Sequence, residues 1–276
     1  MRHLRIYDMI EAVHRAGSIR KAAEDSNITA SAMNRRIQGF EAEFGFEVFE
    51  RLPTGMRLNP AGELLLHHIR ERNQDLARVQ SQVADLSGVR RGHVKIACSQ
   101  ALLPYFLPEQ IAVYRRDFPG VTFSVNVRDR IQAERDLSNF ESDLALVFEP
   151  VHMVDFQVLH AVGQSVMAVM STNHPLAGRT ELRLRDCIDY DLVLPGPQFG
   201  VRGLLDQAAT RIGRPLKPIL ETESFEIIRH YAAYGETIGF QIPIGLSAEA
   251  RSDLKIIPLS SRDVVGGRLL LGYLRG

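Results

Sequence analysis

Apolar and polar positions alternate with helical spacing through the first sixty residues of the chain. In the first stretch the apolar side chains recur every three residues, at Leu4, Tyr7, Ile10 and Val13. This spacing predicts an amphipathic helix that ends near Gly17. Ser18 and Thr29 each precede a further run of helix-forming residues and are suited to cap its first turn. Three short helices are therefore predicted in succession.

The third predicted helix carries an apolar stripe and an opposite polar face. The stripe follows a four-three-four spacing, at Met33, Ile37, Phe40 and Phe44, and we expect it to face the domain core. The polar side chains fall on the other face, at Ser31, Asn34, Arg35 and Gln38. Arginine binds guanine and asparagine binds adenine through paired hydrogen bonds, whereas serine and threonine reach bases or phosphates. Two helices joined by a tight turn, the second with such a face, predict a DNA-reading helix-turn-helix.

A β-hairpin is predicted immediately after the third helix. Its arms are residues 48–51 and 56–58, and the Pro-Thr-Gly run between them forms the turn. Arg51 and Arg57 flank the tip, where a wing would meet the phosphate backbone of DNA. The alternative is a plain helical domain with a solvated charged face. Any single arginine fits either interpretation, whereas the whole arrangement favours a winged helix-turn-helix.

One long helix is predicted over residues 61–87, because no proline or glycine interrupts the chain after Gly62. Its apolar positions alternate by four and three with one polar break, at Leu65, Ile69, Arg72, Leu76, Val79, Val83 and Leu86. This heptad seam is typical of a coiled coil and predicts a linker helix that dimerises two chains. A buried core helix is the alternative, but the positions off the seam are largely charged or polar, which favours the coiled coil.

The overall prediction is an all-α winged helix-turn-helix in residues 1–60, the linker helix, and an α/β domain in residues 88–276. In the last part short β-runs and helices alternate, and the order then starts again, which predicts two lobes. The first lobe covers about 92–161 and 262–276, and the second about 162–261. The β-α-β-α-β order implies a parallel sheet. Two hinged lobes suggest an effector-binding cleft like that of periplasmic binding proteins.

Ligands of open parallel sheets bind beyond the carboxyl ends of the strands, often against helix N-termini. That rule yields seven effector-binding candidates, which are Ser99, Gln100, Glu149, Arg202, Thr222, Ser224 and Gln241. The helix that opens at Ser99 and the cation at Arg202 would suit a carboxylate or another small anion. Glu149, if it lines the cleft, argues instead for a polar or amine-bearing ligand. An ordinary capping or surface role is the alternative for each of the seven residues.

Charge and composition narrow the class of protein. The chain has 33 basic and 33 acidic residues, but residues 1–95 hold 15 basic against 12 acidic side chains, a surplus compatible with a DNA-facing front end. Cys98 and Cys187 lie in apolar stretches and are expected to be buried free thiols, too few for a cysteine-rich zinc module. No metal ion and no cofactor are predicted. Charged residues interrupt the early apolar positions, and no apolar run reaches the length of a membrane span, so a cytoplasmic protein is expected.

Several motifs of this chain resemble the LysR-type family of transcriptional regulators. They are GSIRKAA at 17–23, ITASAMNRRI at 28–37, VFER at 48–51, RLNPAG at 57–62 and, more loosely, HPLA at 174–177. The similarity runs through nearly all of the first sixty positions and covers essentially the whole chain. It implies a homo-oligomer, either a dimer or a tetramer, that binds a palindromic operator in double-stranded DNA and responds to a small-molecule effector.

The resemblance also implies roles for single residues of the DNA-binding domain. Base contacts or nearby phosphate contacts are implied for Thr29, Ser31, Asn34 and Arg35, and backbone or wing contacts for Arg36, Arg51 and Arg57. The family usually has Gln-Pro at positions 30–31 and serine at Asn34, so the operator sequence does not carry over. A further helix normally follows the last strand in the family, whereas this chain stops at Gly276. It is either unusually short or truncated, and an exposed apolar face on the first lobe is expected.

Two other classes of protein are less consistent with the sequence. An enzyme is disfavoured because the chain has no Gly-x-Ser-x-Gly elbow, phosphate-binding loop or dinucleotide fingerprint, and its nine histidines form no His-Glu-x-x-His cluster. A transport-type solute-binding protein shares the two-lobed domain, but it needs a signal peptide and has no use for a basic N-terminal surface. The sequence therefore favours a non-enzymatic, effector-responsive DNA-binding regulator.

Overall fold

The computed structural model describes residues 2–86, 90–148, 156–246 and 253–274. No helix within these ranges is long and apolar enough to span a membrane. The chain divides into two compact units of different architecture. The N-terminal unit, which ends at Val83, is built from helices and one hairpin, and the C-terminal unit contains two β-sheets.

The N-terminal unit has the element order of a winged helix-turn-helix. The elements are α1 (Arg2–Ala16), α2 (Ile19–Asp25), α3 (Ala30–Phe44), β1 (Phe49–Leu52), β2 (Gly55–Leu58) and the start of α4 (Pro60–Leu86). Both predicted caps are present: Ser18 Oγ accepts from the Lys21 N–H at 3.5 Å, and Thr29 Oγ1 accepts from the Ala32 N–H at 3.2 Å. The fold predicted for this part of the chain is confirmed.

The apolar stripe of α3 is buried over only part of its length. Met33 and Ile37 are fully buried in the core of the N-terminal unit, and Phe40 packs against that core. The prediction was wrong for Phe44, of which 42% is exposed. Because the last turn of α3 extends past the edge of a small core, Phe44 stacks on Phe40, with 5.4 Å between ring centroids, instead of being buried.

Contacts on two sides fix the hairpin to the helices. The Met56 N–H donates to the Gly17 carbonyl oxygen at 2.8 Å. A Cβ on Gly55 would lie 2.4 Å from the same oxygen, and Gly55 has a φ of 138°, so only glycine allows this approach without strain. On the other side, Glu41 Oε1 of α3 accepts from the Val48 N–H at 2.8 Å. The hairpin, hereafter the wing, is therefore attached both to the turn after α1 and to α3.

The first sheet of the C-terminal unit has five strands. Their spatial order is β4 (Val121–Val127), β3 (Gly92–Cys98), β5 (Leu144–Phe148), β12 (Gly267–Leu274) and β6 (Phe156–Gln164). β3 is parallel to β4 and β5, whereas β12 is antiparallel to β5 and β6. Two helices connect the parallel strands, α5 (Phe106–Asp117) and α6 (Arg130–Ser138).

The second sheet also has five strands. Their spatial order is β11 (Leu254–Pro258), β7 (Met167–Ser171), β10 (Thr237–Gln241), β8 (Asp191–Pro195) and β9 (Pro218–Thr222). Its helices are α7 (Leu184–Cys187), α8 (Gly200–Arg211) and α9 (Phe225–Tyr231). β8 is parallel to β9 and β10, and β7 is antiparallel to β10 and β11.

The two-lobed α/β fold predicted from the sequence is confirmed, but each sheet is mixed. The parallel arrangement holds for three strands of each sheet, and neither β6 nor β11 was predicted from the sequence. Both are edge strands that pair antiparallel to a neighbour, and each is the last strand of its sheet before the chain crosses to the other lobe. The lobe boundary predicted near residue 161 falls inside β6, and the one near 262 falls between β11 and β12.

One hydrophobic core contains buried side chains from both sheets of the C-terminal unit. Cys98 and Cys187 lie in it as buried free thiols, as predicted. Burial raises the pKa of Cys98 to about 11 and that of Cys187 to about 12. On the first sheet, the edge strand β6 leaves Val158 and Leu159 exposed.

Candidate nucleic-acid interface and effector cleft

The first turns of α3 present polar side chains to solvent on the side opposite the core. Ser31 and Arg35 are exposed and Asn34 is half-buried. Thr29 caps the helix, and its Oγ1 also lies 3.2 Å from Ser31 Oγ. These four residues form one continuous polar surface, which we call the recognition face, and Arg36 is exposed beside it. The structure thus places together the residues for which the sequence predicted base contacts.

The wing reaches the recognition face through one side chain. Arg51 Nη2 of β1 donates to Asn34 Oδ1 of α3 at 2.9 Å. The other wing arginine stays within the hairpin, where Arg57 Nη2 lies 2.8 Å from Glu50 Oε2. An exposed ion pair of this kind contributes at most about 1 kcal/mol. Arg57 can therefore exchange Glu50 for a DNA phosphate at little cost.

The predicted heptad seam of α4 divides into two parts. Leu65 and Ile69 are buried in the core of the N-terminal unit. Arg72, the polar break, lies over the ring of Tyr7, with 5.5 Å from its Cζ to the ring centroid. The rest of the seam is exposed, at Leu76, Val79, Val83 and Leu86. The second part of the seam thus has no cover within the described part of its own chain.

A narrow cleft lies at the carboxyl ends of the parallel strands of both sheets. Ser99 and Phe148 line it from the first sheet, and Phe199, Gly200 and Phe225 line it from the second. The free space within it is about 20 Å³, enough for about one water molecule. The cleft is therefore nearly closed in this arrangement of the lobes.

Two side chains of the first lobe bridge to α9 of the second. Gln100 Oε1 accepts from the Phe225 N–H at 2.7 Å, so Gln100 caps α9 from the opposite lobe. Arg229 Nη1 donates to the hydroxyl of Tyr105. Gln100 was predicted to contact an effector, and the structure shows it joining the two lobes beside the cleft.

Four of the other predicted effector residues have local partners and do not line the cleft. Thr222 Oγ1 accepts from the Ser224 N–H at 3.1 Å, and Ser224 Oγ caps α9 by accepting from the Ile227 N–H at 3.3 Å. Gln241 is buried, and its Oε1 accepts from the Ile242 N–H at 3.1 Å. The contacts of Thr222 and Ser224 are caps, whereas Gln241, at the end of β10, bonds the backbone that directly follows it. An effector contact for these residues stays a prediction.

Arg202, the predicted cation of the site, is engaged in ion pairs on α8 and β9. Its Nε lies 2.9 Å from Asp206 Oδ1, and its Nη1 lies 2.5 Å from Glu221 Oε2. Burial lowers the pKa of Arg202, but the hydrogen bonds to Glu221 and Asp206 outweigh burial and leave the pKa above its ordinary value. Glu149, the seventh candidate, lies outside the described residues.

Sequence reasoning missed several polar residues that line the cleft. Arg128 and Asp129 directly follow β4, and Gln198 follows β8. The rule of strand carboxyl ends would have found Arg128 had it been applied to β4. Arg128 Nε lies 2.7 Å from Asp136 Oδ2, so its charge is balanced within the first lobe. Among the described residues, no cluster of His, Cys, Asp or Glu is arranged to hold a metal ion.

Comparison with known proteins assigns both parts of the chain. Residues 2–63 match the family described as "Bacterial regulatory helix-turn-helix protein, lysR family", and residues 87–276 match the "LysR substrate binding domain". The HTH-type transcriptional activator CmpR of Synechocystis sp. is 24% identical over 229 residues, which cover 83% of this chain and 75% of CmpR. The HTH-type transcriptional regulator CysB of Burkholderia cenocepacia is 25% identical over 257 residues, which cover 90% of this chain and 80% of CysB.

Solved structures show the same fold. A full-length OxyR variant from Pseudomonas aeruginosa has a TM-score of 0.74 at 18% identity and covers 98% of this chain and 88% of its own. CbnR in complex with its target DNA has a TM-score of 0.68 at 15% identity and covers 99% of this chain and 93% of its own. Because the two family matches together span nearly the whole chain and its relatives are regulators, this protein belongs to the LysR family of transcriptional regulators.

Proposed function

We propose that this regulator recognises a palindromic operator in double-stranded DNA and that a small molecule in the cleft between its lobes sets its activity. The recognition face of α3 is the observation that supports the proposed operator binding. Met33 and Ile37 anchor α3 in the core, so that Ser31 and Arg35 are held outward at positions suited to the major groove. Arg36, Arg51 and Arg57 add positive charge for the flanking phosphates.

Self-association is proposed from the exposed part of the α4 seam. Two copies of this seam would pack as a pair of helices, and a two-fold axis suits a palindromic operator. A second apolar surface supports assembly beyond a dimer. It is an open groove of about 690 Å³ along α5, lined by Leu103, Leu107 and Ile111 among others. A tetramer built from both surfaces is the proposed assembly.

The chemistry of the cleft favours a small anion with an apolar body, such as a carboxylate. The N-terminus of α8 opens into it at Gly200, and the N-cap residue Phe199 supplies no side-chain acceptor for the first backbone N–H groups. Phe199 and Phe225 form an edge-to-face pair at 5.2 Å that gives the cleft an apolar wall. Since so little free space is left, we propose that an effector enters only when the lobes part, so that binding selects a different lobe arrangement.

The DNA-binding half is tested by operator selection followed by titration of the selected site. Arg35→Ala is expected to weaken specific binding by roughly 1–3 kcal/mol and to relax the preference at one position of each half-site. Arg179→Ala is the matched control, because Arg179 is exposed on the C-terminal unit. Equal losses on operator and random DNA for Arg35→Ala would refute base reading, and the absence of any salt-sensitive DNA binding would refute the function itself.

The effector half is tested by thermal unfolding against a panel of small carboxylates and their amide and amine analogues. A binding carboxylate is expected to raise the melting temperature of the wild type. Ser99→Ala removes a cleft hydroxyl without adding atoms and is expected to reduce that shift, whereas Thr172→Val, which removes a hydroxyl at an exposed position, is expected to leave it unchanged. Preferential stabilisation by the amines would contradict the anion assignment.

A further inference from the structure

The contact between Arg51 and Asn34 fixes which atom of the asparagine amide faces the wing. A guanidinium group has donors only, so the partner at 2.9 Å must be the amide oxygen. The amide nitrogen of Asn34 therefore points away from Arg51. An unrestrained asparagine could present either its acceptor or its donor to a base, whereas this one is held in a single orientation.

The position of Arg51 is itself restrained by the surrounding structure. Arg51 lies on β1 opposite Met56, and the Met56 N–H is bonded to the Gly17 carbonyl. The start of β1 is attached to α3 through Glu41 Oε1, which accepts from the Phe49 N–H at 3.3 Å. The wing is thus held by α3 at the start of β1 and by the turn after α1 opposite Arg51. These two attachments keep the Arg51 backbone beside α3, within reach of Asn34.

Asn34 lies on the recognition face between Ser31 and Arg35, one helical turn after Ser31 and next to Arg35. With its oxygen toward the wing, it presents the two N–H groups of its amide to the groove. Guanine N7 and O6 and thymine O4 are acceptors in the major groove. Adenine N7 is an acceptor too, but it lies beside the N6 donor, and bidentate recognition of adenine requires the asparagine oxygen to accept from N6. The orientation therefore favours a base whose exposed edge accepts a hydrogen bond.

We propose that Arg51 is a positioning residue that turns Asn34 into a hydrogen-bond donor, so that the operator carries guanine or thymine at the base facing Asn34. This inference rests on the proposed DNA-binding function and adds a base class to it. Arg57 provides the contrast, because it pairs with Glu50 inside the wing and not with a residue of α3. Arg57 is expected to contribute affinity alone.

The test uses the full-length protein and an operator selected by the wild type. Each operator position is changed in turn to all four base pairs, and the binding of these sequences is compared in competition. The position that faces Asn34 is identified as the one at which Asn34→Ala no longer discriminates between bases. The wild type is expected to prefer guanine or thymine there by roughly two- to tenfold, the effect of one net hydrogen bond. Arg51→Ala is expected to abolish this preference as well as to weaken binding to all four versions. Arg57→Ala is expected to weaken all four equally and to keep the preference.

Asn34→Asp provides a second test that does not depend on removing the arginine. Aspartate still accepts from Arg51 but presents an acceptor in place of the amide N–H groups, so the preference is expected to shift to cytosine, whose N4 is a donor. An adenine preference in the wild type, or an unchanged preference in Arg51→Ala, would overturn the inference while leaving DNA binding intact. Failure of the wild type to select any operator would instead overturn the proposed function, and the inference with it.

Discussion

Replacing Val79 by glutamate is expected to weaken self-association of this regulator by at least two orders of magnitude. Val79 lies in the exposed part of the α4 seam with Leu76, Val83 and Leu86, and the exposed fractions of these side chains are 51%, 46%, 57% and 88% in that order. Each is apolar and has no cover in the N-terminal unit. A partner helix that buried them would remove four apolar side chains of each chain from water.

The magnitude follows from these exposures. Complete burial of such a side chain stabilises by roughly 1.5–3 kcal/mol. About half of Leu76, Val79 and Val83 is exposed, so each contributes about 1 kcal/mol, and the mostly exposed Leu86 contributes about 2 kcal/mol. The eight side chains of a two-fold dimer therefore give about 10 kcal/mol, from which the costs of association are subtracted. Val79→Glu removes about 2 kcal/mol of apolar burial from the pair and places two carboxylates in an apolar contact, where each loses part of its hydration. Together these effects exceed the roughly 2.8 kcal/mol that corresponds to a hundredfold change.

Sedimentation velocity over a dilution series would measure the change. Gln80→Glu is the matched control, because it introduces the same charge at the neighbouring exposed position, which lies off the seam. Gln80→Glu is expected to sediment as the wild type does, and Val79→Glu as a smaller species at low micromolar concentration. Identical dissociation constants for both variants and the wild type would refute the seam as a self-association surface.

Three further predictions concern stability and reactivity. The hydrogen bond from Arg183 holds the pKa of the buried Asp263 below its usual 3.8, so Asp263→Asn should lower the free energy of unfolding at pH 7 by roughly 1–3 kcal/mol. This difference should shrink as the pH falls below about 4, because protonation of Asp263 removes the same interaction; a difference independent of pH would contradict it. Gly55→Ala should destabilise the N-terminal unit by more than about 1 kcal/mol, whereas Gly39→Ala, in an open position of α3, should stabilise it by about 0.5–1 kcal/mol; equal melting temperatures would contradict this pair. Because burial raises the pKa of both thiols by two units or more, Cys98 and Cys187 should react with a disulfide reagent at pH 8 at least ~100-fold more slowly in the native protein than in denaturant; rapid labelling of the native protein would show that the thiols are accessible.

The effector candidates show what can and cannot be predicted from the rule that ligands bind at the carboxyl ends of parallel strands. The strand carboxyl ends were correctly placed around a cleft, but a strand end supplies several side chains, and the rule does not say which of them turns inward. Ser99 lines the cleft, whereas Thr222 and Ser224 cap the turn and helix that follow β9. Arg202 is drawn to Asp206 one turn later and to Glu221 on the neighbouring strand. The outcome depended on which partner lay nearer after folding.

The sequence by itself determined the features that depend on spacing along one segment. The stripe through Met33 and Ile37 and the seam of α4 follow from the helical period. The caps at Ser18 and Thr29 follow from the residue types that precede a first helical turn, and none of these features needs knowledge of distant contacts. The exposure of Phe44 could not be predicted in this way, because the other helices determine where the core ends.

Tertiary structure alone decided the contacts between segments far apart in the chain. Arg51 meets Asn34 across 17 positions, and Gln100 caps α9 across 125. β6 and β11 exist as strands because a neighbouring strand is available for pairing, not because of a strong local pattern. The periodicity of a sequence shows which side of a segment is apolar. The hydrogen-bond partner of a polar group depends instead on how the chain folds back on itself. Such a partner cannot be predicted from the spacing of residues along one segment.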